Sequence, residues 1–240
     1  MSIALVILAA GKGTRMQSDL PKVLHPIAQV PMLVHAMRAG AALDPDHVVI
    51  VAGHGAEAVT KTVLAENDEA KVVVQNQQLG TAHAVDQARA ALDGFQGDVV
   101  VLYGDTPFLQ ADTLERMIAA RADHDLVILG FEARDPGRYG RLVTQGDQLE
   151  KIVEFKDATD AERDITLCNS GLVACNASTL FELIAAVGND NAVGEYYLTD
   201  IVALARARGL SATAVTCDES ETLGVNSRSE LANADAVFQS

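Results

Sequence analysis

The 240-residue sequence contains no tryptophan, and aromatic residues make up only 4% of it. A surface that stacks bases along a nucleic-acid strand needs aromatic rings, so that class of protein is excluded. Positive charge is also scarce: 18 Lys and Arg stand against 33 Asp and Glu, a formal net charge of −15. That balance opposes binding to nucleic acid or to an anionic membrane surface. Cysteine occurs three times, at Cys168, Cys175 and Cys217, without C-x-x-C spacing. Neither a zinc site nor a disulfide framework is indicated, and a sparse, odd set suits a reducing, cytoplasmic location. No apolar run approaches the ~18 residues of a membrane span, and the chain opens on a strand pattern rather than a signal peptide. The six histidines, His25, His35, His47, His54, His83 and His124, form no H-E-x-x-H pattern and are expected to be structural or solvated.

What the sequence does have is concentrated at one stretch. Ile3-Ala4-Leu5-Val6-Ile7 is an apolar, β-branched run that reads as a strand buried on both faces. Leu8-Ala9-Ala10-Gly11-Lys12-Gly13-Thr14-Arg15-Met16 follows it. Small residues there let a flat ligand lie against the backbone, and the glycines leave amide N–H groups bare. Lys12, Arg15 and then Lys22 supply local positive charge in an acidic chain. A strand feeding a glycine-rich basic loop suits phosphate binding. A P-loop requires G-x-x-x-x-G-K-[ST], but Lys12 is followed by Gly13. The dinucleotide fingerprint requires a third glycine where Met16 stands, and an acid at the end of the second strand where Gly53-His54-Gly55 stands.

Hydrophobic residues form 49% of the chain, enough for a sizeable core. Strand patterns at Val48–Ala52, Val72–Val74, Val99–Leu102 and Leu126–Leu129 alternate with helical ones. Helices are expected from Pro31 to about Leu43, Ala56 to Ala65, Gly80 to Leu92, and from an Asp112 cap to Ala122. This order predicts an α/β fold with a mostly parallel sheet and helices on both faces. Ligands of such sheets bind at the carboxyl ends of strands. Those ends carry Ala9 to Arg15, Gln75, and Tyr103-Gly104-Asp105. After residue 134 the pattern shortens, and Arg141–Thr144, Leu149–Phe155 and Leu167–Cys175 read as added antiparallel strands. Helices at Ala177–Val187 and Glu195–Arg208, a late strand at Ala212–Val215, and a capping box Ser227-Arg228-Ser229-Glu230 complete the pattern.

The loop motif, continued by Ser18-Asp19-Leu20-Pro21-Lys22-Val23-Leu24-His25, resembles the uridylyltransferase domain of bacterial N-acetylglucosamine-1-phosphate uridylyltransferases. So do Gln78-Leu79-Gly80-Thr81-Ala82-His83, Tyr103-Gly104-Asp105, Tyr139-Gly140-Arg141, Asn169-Ser170-Gly171, Gly194-Glu195-Tyr196-Tyr197-Leu198-Thr199-Asp200 and Gly224-Val225-Asn226. The resemblance covers essentially the whole chain. It implies a Rossmann-like nucleotide-diphospho-sugar transferase fold over residues 1–226, with 227–240 a helix that could begin an arm. The bifunctional members continue into a left-handed β-helix that acetylates glucosamine 1-phosphate. No such repeat is present here, so the chain is either part of a longer protein or a stand-alone uridylyltransferase, and its oligomeric state stays open.

The implied reaction joins UTP and N-acetylglucosamine 1-phosphate into UDP-N-acetylglucosamine, a precursor of peptidoglycan and lipopolysaccharide, and releases pyrophosphate. Arg15, Lys22 and Asp105 would be catalytic. Lys12 and Arg15 would hold the outer phosphates and Lys22 the α-phosphate. Leu8, Ala9, Ala10, Gly11, Gln75, Gly80 and Thr81 would form the uracil pocket. Gly140, Glu154 and Asn169 would bind the sugar, with Tyr103, Gly104 and Thr199 beside them. Mg²⁺ would be held by Asp105 and Asn226. Two alternatives remain at this point: a related nucleotidyltransferase with another base or sugar, and a non-catalytic nucleotide-sugar-binding module.

Overall fold

The structure, a computed structural model, describes residues 2–238. Its central strand is β1 (Ile3–Ala9), buried along its whole length. Alternate side chains serve opposite faces, which is why one apolar run seeds two cores. Ala4, Val6 and Leu8 enter one core; Ile3, Leu5, Ile7 and Ala9 enter the other. The chain then makes two short 3₁₀ turns and a small hairpin, β2 (Pro26–Ile27) with β3 (Val30–Pro31), before α1 (Met32–Ala41). β4 (His47–Ala52), α2 (Ala56–Glu66), β5 (Lys71–Val74), α3 (Thr81–Asp86), β6 (Asp98–Tyr103), α4 (Ala111–Ala120) and β7 (Leu126–Glu132) follow. β8 (Arg141–Gln145), β9 (Gln148–Val153), α5 (Asp160–Arg163), β10 (Leu167–Asn176), α6 (Ala177–Ile184), α7 (Asp200–Ala207), β11 (Ala212–Cys217) and α8 (Arg228–Phe238) complete it.

Seven strands of the nine-stranded sheet run in the order β11-β7-β10-β6-β1-β4-β5. Pairs β6–β1, β1–β4, β4–β5 and β7–β11 are parallel, and β10 lies antiparallel between β6 and β7. The β8–β9 hairpin joins the sheet through β10. Helices α1, α2 and α4 cover one face, with Leu33, Val59 and Leu114 in its core; α3, α6 and α7 cover the other, with Val85, Leu180 and Val202. The chain leaves β1 toward β4 and β5, then returns to β1's other side with β6. That reversal opens a crevice at the carboxyl end of β1, the place where such sheets bind ligands.

The parallel core and the added antiparallel strands follow the sequence pattern; several boundaries do not. The helix expected to reach Leu92 stops at Asp86 and gives way to a 3₁₀ turn at Arg89–Leu92. α4 has Gln110 at its cap, and Asp112 lies inside the first turn. The helix expected from Glu195 starts only at Asp200. The residues before it are irregular, and there Tyr196 N donates to Leu79 O and Tyr196 O accepts from Ala82 N. At α8, Ser227 Oγ accepts from Glu230 N at 3.3 Å, but the Glu230 carboxylate turns back to Asn226 N at 2.6 Å.

Candidate active site

Strands β1, β5 and β6 deliver their carboxyl ends to one cavity of about 400 Å³. Its wall includes Leu8, Ala9, Ala10 and Gly11 from the end of β1, Gln75 after β5, and Tyr103 and Asp105 at the end of β6. Lys22, Gly80, Thr81 and Asn226 also line it. Lys22 Nζ donates to the Asp105 carboxylate and, at 3.0 Å, to Asn226 Oδ1. The Lys22 and Asp105 side chains are only 13% and 15% exposed. The final segment is tied in by its backbone, since Val225 N donates to Asp105 O. Residues far apart in sequence thus gather a carboxylate, an amide oxygen and an ammonium at one point.

Gln75 is 5% exposed and its amide is held on the nitrogen side. Nε2 lies 3.2 Å from Gly80 O and 2.9 Å from His83 Nδ1. Gly80 takes φ +122°, and a Cβ there would lie 2.4 Å from Tyr196 O, so the turn that carries this carbonyl tolerates no side chain.

A second group sits beside this cavity. Gly140, Glu154 and Asn169 lie at the same edge of the sheet, because β8 and β10 begin there and β9 ends there. Asn169 N donates to Gly140 O, and Asn169 Oδ1 accepts from Gly171 N. Glu154 Oε1 accepts from Thr199 Oγ1 at 3.2 Å. Burial raises the Glu154 carboxyl above the ordinary carboxylate range, the Thr199 bond works against that, and Asp157 and Asp200 add to it. Glu154 lines a neighbouring cavity of about 390 Å³ with Arg138, Phe155, Lys156 and Tyr197. Tyr103 joins the two regions. Its ring packs on Gly171, where a Cβ would stand 2.6 Å away, and burial together with the Asp105 and Glu154 carboxylates pushes its phenol well up.

The model of a family described as "MobA-like NTP transferase domain" matches residues 5–203. The chain belongs to that family. The matched span runs from within β1 to the first turn of α7, and so includes every wall residue except Asn226. The chain is 76% identical over 239 residues to the "Bifunctional protein GlmU" of Ruegeria pomeroyi, covering all of this chain and 53% of that protein. It is 65% identical to the protein of the same name from Roseobacter denitrificans, with the same coverage. The chain therefore spans about half the length of these relatives. Among solved structures, a UDP-glucose pyrophosphorylase complexed with UDP-glucose superposes with a TM-score of 0.81 at 17% identity, covering 100% of this chain and 99% of that one. That likeness speaks for the fold.

In this NTP transferase domain not every residue singled out by its sequence reaches the cavity. Lys12 and Arg15 stay exposed on the loop after Gly11, off the wall. Gly104 lies behind it and donates its N–H to Leu8 O at 3.0 Å, tying β6 to β1. Conversely, Val23, Gln78, Ala84 and Glu195 line the cavity and carried no role in the sequence. Gln78 Nε2 donates to Ala10 O at 2.6 Å, which fixes the backbone of the wall. The only signal for it was its place in the Gln-Leu-Gly-Thr run.

Arg228, in the first turn of α8, also had no signal. Its Nε donates to Met16 O at 2.9 Å and its Nη2 to Gln17 O at 3.0 Å. These bonds close the far end of the glycine-rich loop, where Gln17 holds a left-handed φ of 48°. Arg228→Ala is expected to raise the KM for the nucleoside triphosphate about tenfold, the equivalent of one charge-assisted bond. The KM for the second substrate should stay put; steady-state kinetics on both substrates checks this.

Proposed function

We propose that the chain transfers a uridylyl group from UTP to N-acetylglucosamine 1-phosphate, forming UDP-N-acetylglucosamine and pyrophosphate. What supports this reading is the gathering at one edge of Gln75, of Lys22 with Asp105 and Asn226, and of Glu154 with Asn169, whose chemistry suits a base, phosphate charge and sugar hydroxyls in turn. The high identity to the longer relatives named GlmU supports the same reading. A phosphate oxygen of the sugar phosphate attacks the α-phosphorus in line, the bond to the β-phosphate oxygen breaks, and pyrophosphate leaves. Phosphoryl transfer of this kind rests on positioning and charge neutralisation. Lys22 would meet the α-phosphate. Lys12 and Arg15, adjacent on the loop, would hold the leaving phosphates and order around them. Residues 1–226 carry all of these groups, and 227–240 would begin an arm.

The Asp105 carboxylate and Asn226 Oδ1 already share one cationic partner, Lys22 Nζ. Two hard oxygens aimed at a cation beside a phosphate loop fit Mg²⁺, which takes one or two carboxylates and fills its octahedron with phosphate oxygens and water. Bound there, the ion would offset phosphate charge. Asp105 and Asn226 would hold it, and Lys22 would turn to the α-phosphate.

Pyrophosphate release, measured against a panel of nucleoside triphosphates and sugar phosphates, tests the proposal. Turnover confined to UTP with N-acetylglucosamine 1-phosphate supports it. Preference for another pair, or binding without turnover, defeats it.

Glu154 and Asn169 carry a separate prediction. Glu154→Ala and Asn169→Ala should raise the KM for the sugar phosphate more than that for UTP; a dominant UTP effect would reject the division of the site. The raised carboxyl of Glu154 also has a stability consequence. Because folding favours its protonated form, the ionised form costs stability as pH rises through that raised value. Glu154→Gln is therefore expected to melt higher than the wild type at neutral pH. The gap should close below pH ~4, where the group is protonated in both states.

A further inference from the structure

His83 lies outside the cavity wall, on the first turn of α3, and contacts the one side chain that reads the base. Resting on the uridylyltransferase reading, we propose that His83 is a positioning residue for base choice: its unprotonated Nδ1 fixes the Gln75 amide so that the carbonyl faces the ligand. A glutamine amide is otherwise ambiguous. Rotated by half a turn, it presents a donor in place of an acceptor at nearly the same point. The two orientations prefer different pyrimidines. Uracil and thymine offer a ring N3–H between two carbonyls, while cytosine offers a ring lone pair beside an amine.

Two groups decide the orientation. Gly80 O, 3.2 Å from the Gln75 amide nitrogen, can only accept. His83 Nδ1, at 2.9 Å, accepts when the ring proton is on Nε2. Both N–H bonds of the Gln75 amide are then used, and its Oε1 makes no hydrogen bond within the described residues. Gln87, one turn further along the chain, approaches the other ring nitrogen: its Nε2 is 3.3 Å from His83 Nε2 and 3.0 Å from His83 O. A neutral ring has a single acceptor nitrogen, so it cannot accept from both amides. The shorter contact assigns that lone pair to Gln75, and Gln87 is served by the backbone carbonyl. The opposite tautomer would place an N–H against the Gln75 amine and pull its oxygen inward, toward Gly80 O. His83 thus adds its weight to Gly80 in holding an acceptor toward the base.

The test compares kcat/KM for UTP and for CTP, with N-acetylglucosamine 1-phosphate, in the wild type, His83→Leu and His83→Asn. His83→Leu should lower the UTP/CTP ratio about tenfold, as expected for one ordinary hydrogen bond. The change should lie in the nucleotide KM, with the sugar-phosphate KM unmoved. His83→Asn, which can offer an acceptor near the same point, should recover most of the ratio. An unchanged ratio in His83→Leu, including a parallel loss with both nucleotides, overturns the proposal. If the wild type turns over no UTP, the functional reading fails on its own, and the same ratio is then read from calorimetric binding of UTP and CTP. Binding of neither also rejects the proposal. If His83→Leu does not fold, ¹⁵N NMR of the wild-type ring decides: protonated Nε2 with bare Nδ1 supports it, and the reverse tautomer overturns it.

Discussion

Asp105→Ala is expected to reduce turnover at least as far as loss of a single electrostatic group usually does, about 10²–10³-fold. Asp105 lies two residues past the end of β6 and lines the cavity that, under the proposed function, takes the phosphates. Alone it would repel the substrate. Its present partner is Lys22, and Asn226 Oδ1 accepts from the same ammonium at 3.0 Å. Truncation removes the anionic half of this cluster and leaves Lys22 with the Asn226 amide. Under the proposed role of Asp105 as a ligand, activity should also depend strictly on Mg²⁺ and vanish in EDTA. Asn226→Ala should lose less, and excess Mg²⁺ should restore part of it, because the remaining carboxylate still binds the ion. The fold should survive, since the bond that ties the late segment here runs from Val225 N to the Asp105 backbone oxygen, not its side chain. Asp105→Asn, which keeps the shape, separates charge from packing. Full activity in EDTA, or an Asp105→Ala protein with normal turnover at limiting Mg²⁺, would remove both the metal and Asp105 from the mechanism.

The parts of this site legible in the sequence are those fixed by local pattern. The apolar run Ile3–Ile7 reads as a strand buried on both faces, which the structure extends to Ala9, and a parallel sheet leads to the expectation of ligand groups at the ends of β1, β5 and β6. Gln75 and Asp105 therefore stood out as polar residues where apolar strands stop. Long-range pairing was not legible. Lys22 lies 83 positions from Asp105 and 204 from Asn226, and no periodicity encodes such contacts. The insertion of β10 between β6 and β7 is equally invisible, because strand patterns show burial and not neighbours. The late start of α7 has a similar cause: backbone bonds from Tyr196 to Leu79 and Ala82 outweigh a helical pattern over the same residues. Arg228 and Gln78 act through carbonyls of the loop, which any residue type provides, so no partner in the sequence announces them.

Arg141 shows how a residue from a recognised motif can matter through the fold. It follows Gly140 at the start of β8 and is 2% exposed. Among the described residues its guanidinium forms no ion pair; its hydrogen bonds go to backbone oxygens, and it lies over the Phe155 ring at 5.8 Å. Nε and Nη2 donate to Arg163 O at 3.3 and 3.2 Å, Nη2 also to Gly137 O at 3.1 Å, and Nη1 to Pro136 O and Tyr139 O. Those carbonyls belong to the turn before Gly140 and to the end of α5, so one side chain pins both segments beside Glu154 and Asn169. Arg141→Ala would leave buried carbonyls unpaired, and the expected loss is about 3 kcal/mol or more. Arg141→Lys should recover little of it, because a single ammonium cannot span the fork that serves four carbonyls. Urea unfolding reads this directly as a lower midpoint at unchanged slope. Where Arg141→Lys remains folded, the sugar-phosphate KM should rise while the UTP KM holds, since the loosened turn borders only the sugar side. A wild-type midpoint in Arg141→Ala would show that the turn is held by its own backbone and that the buried guanidinium is dispensable.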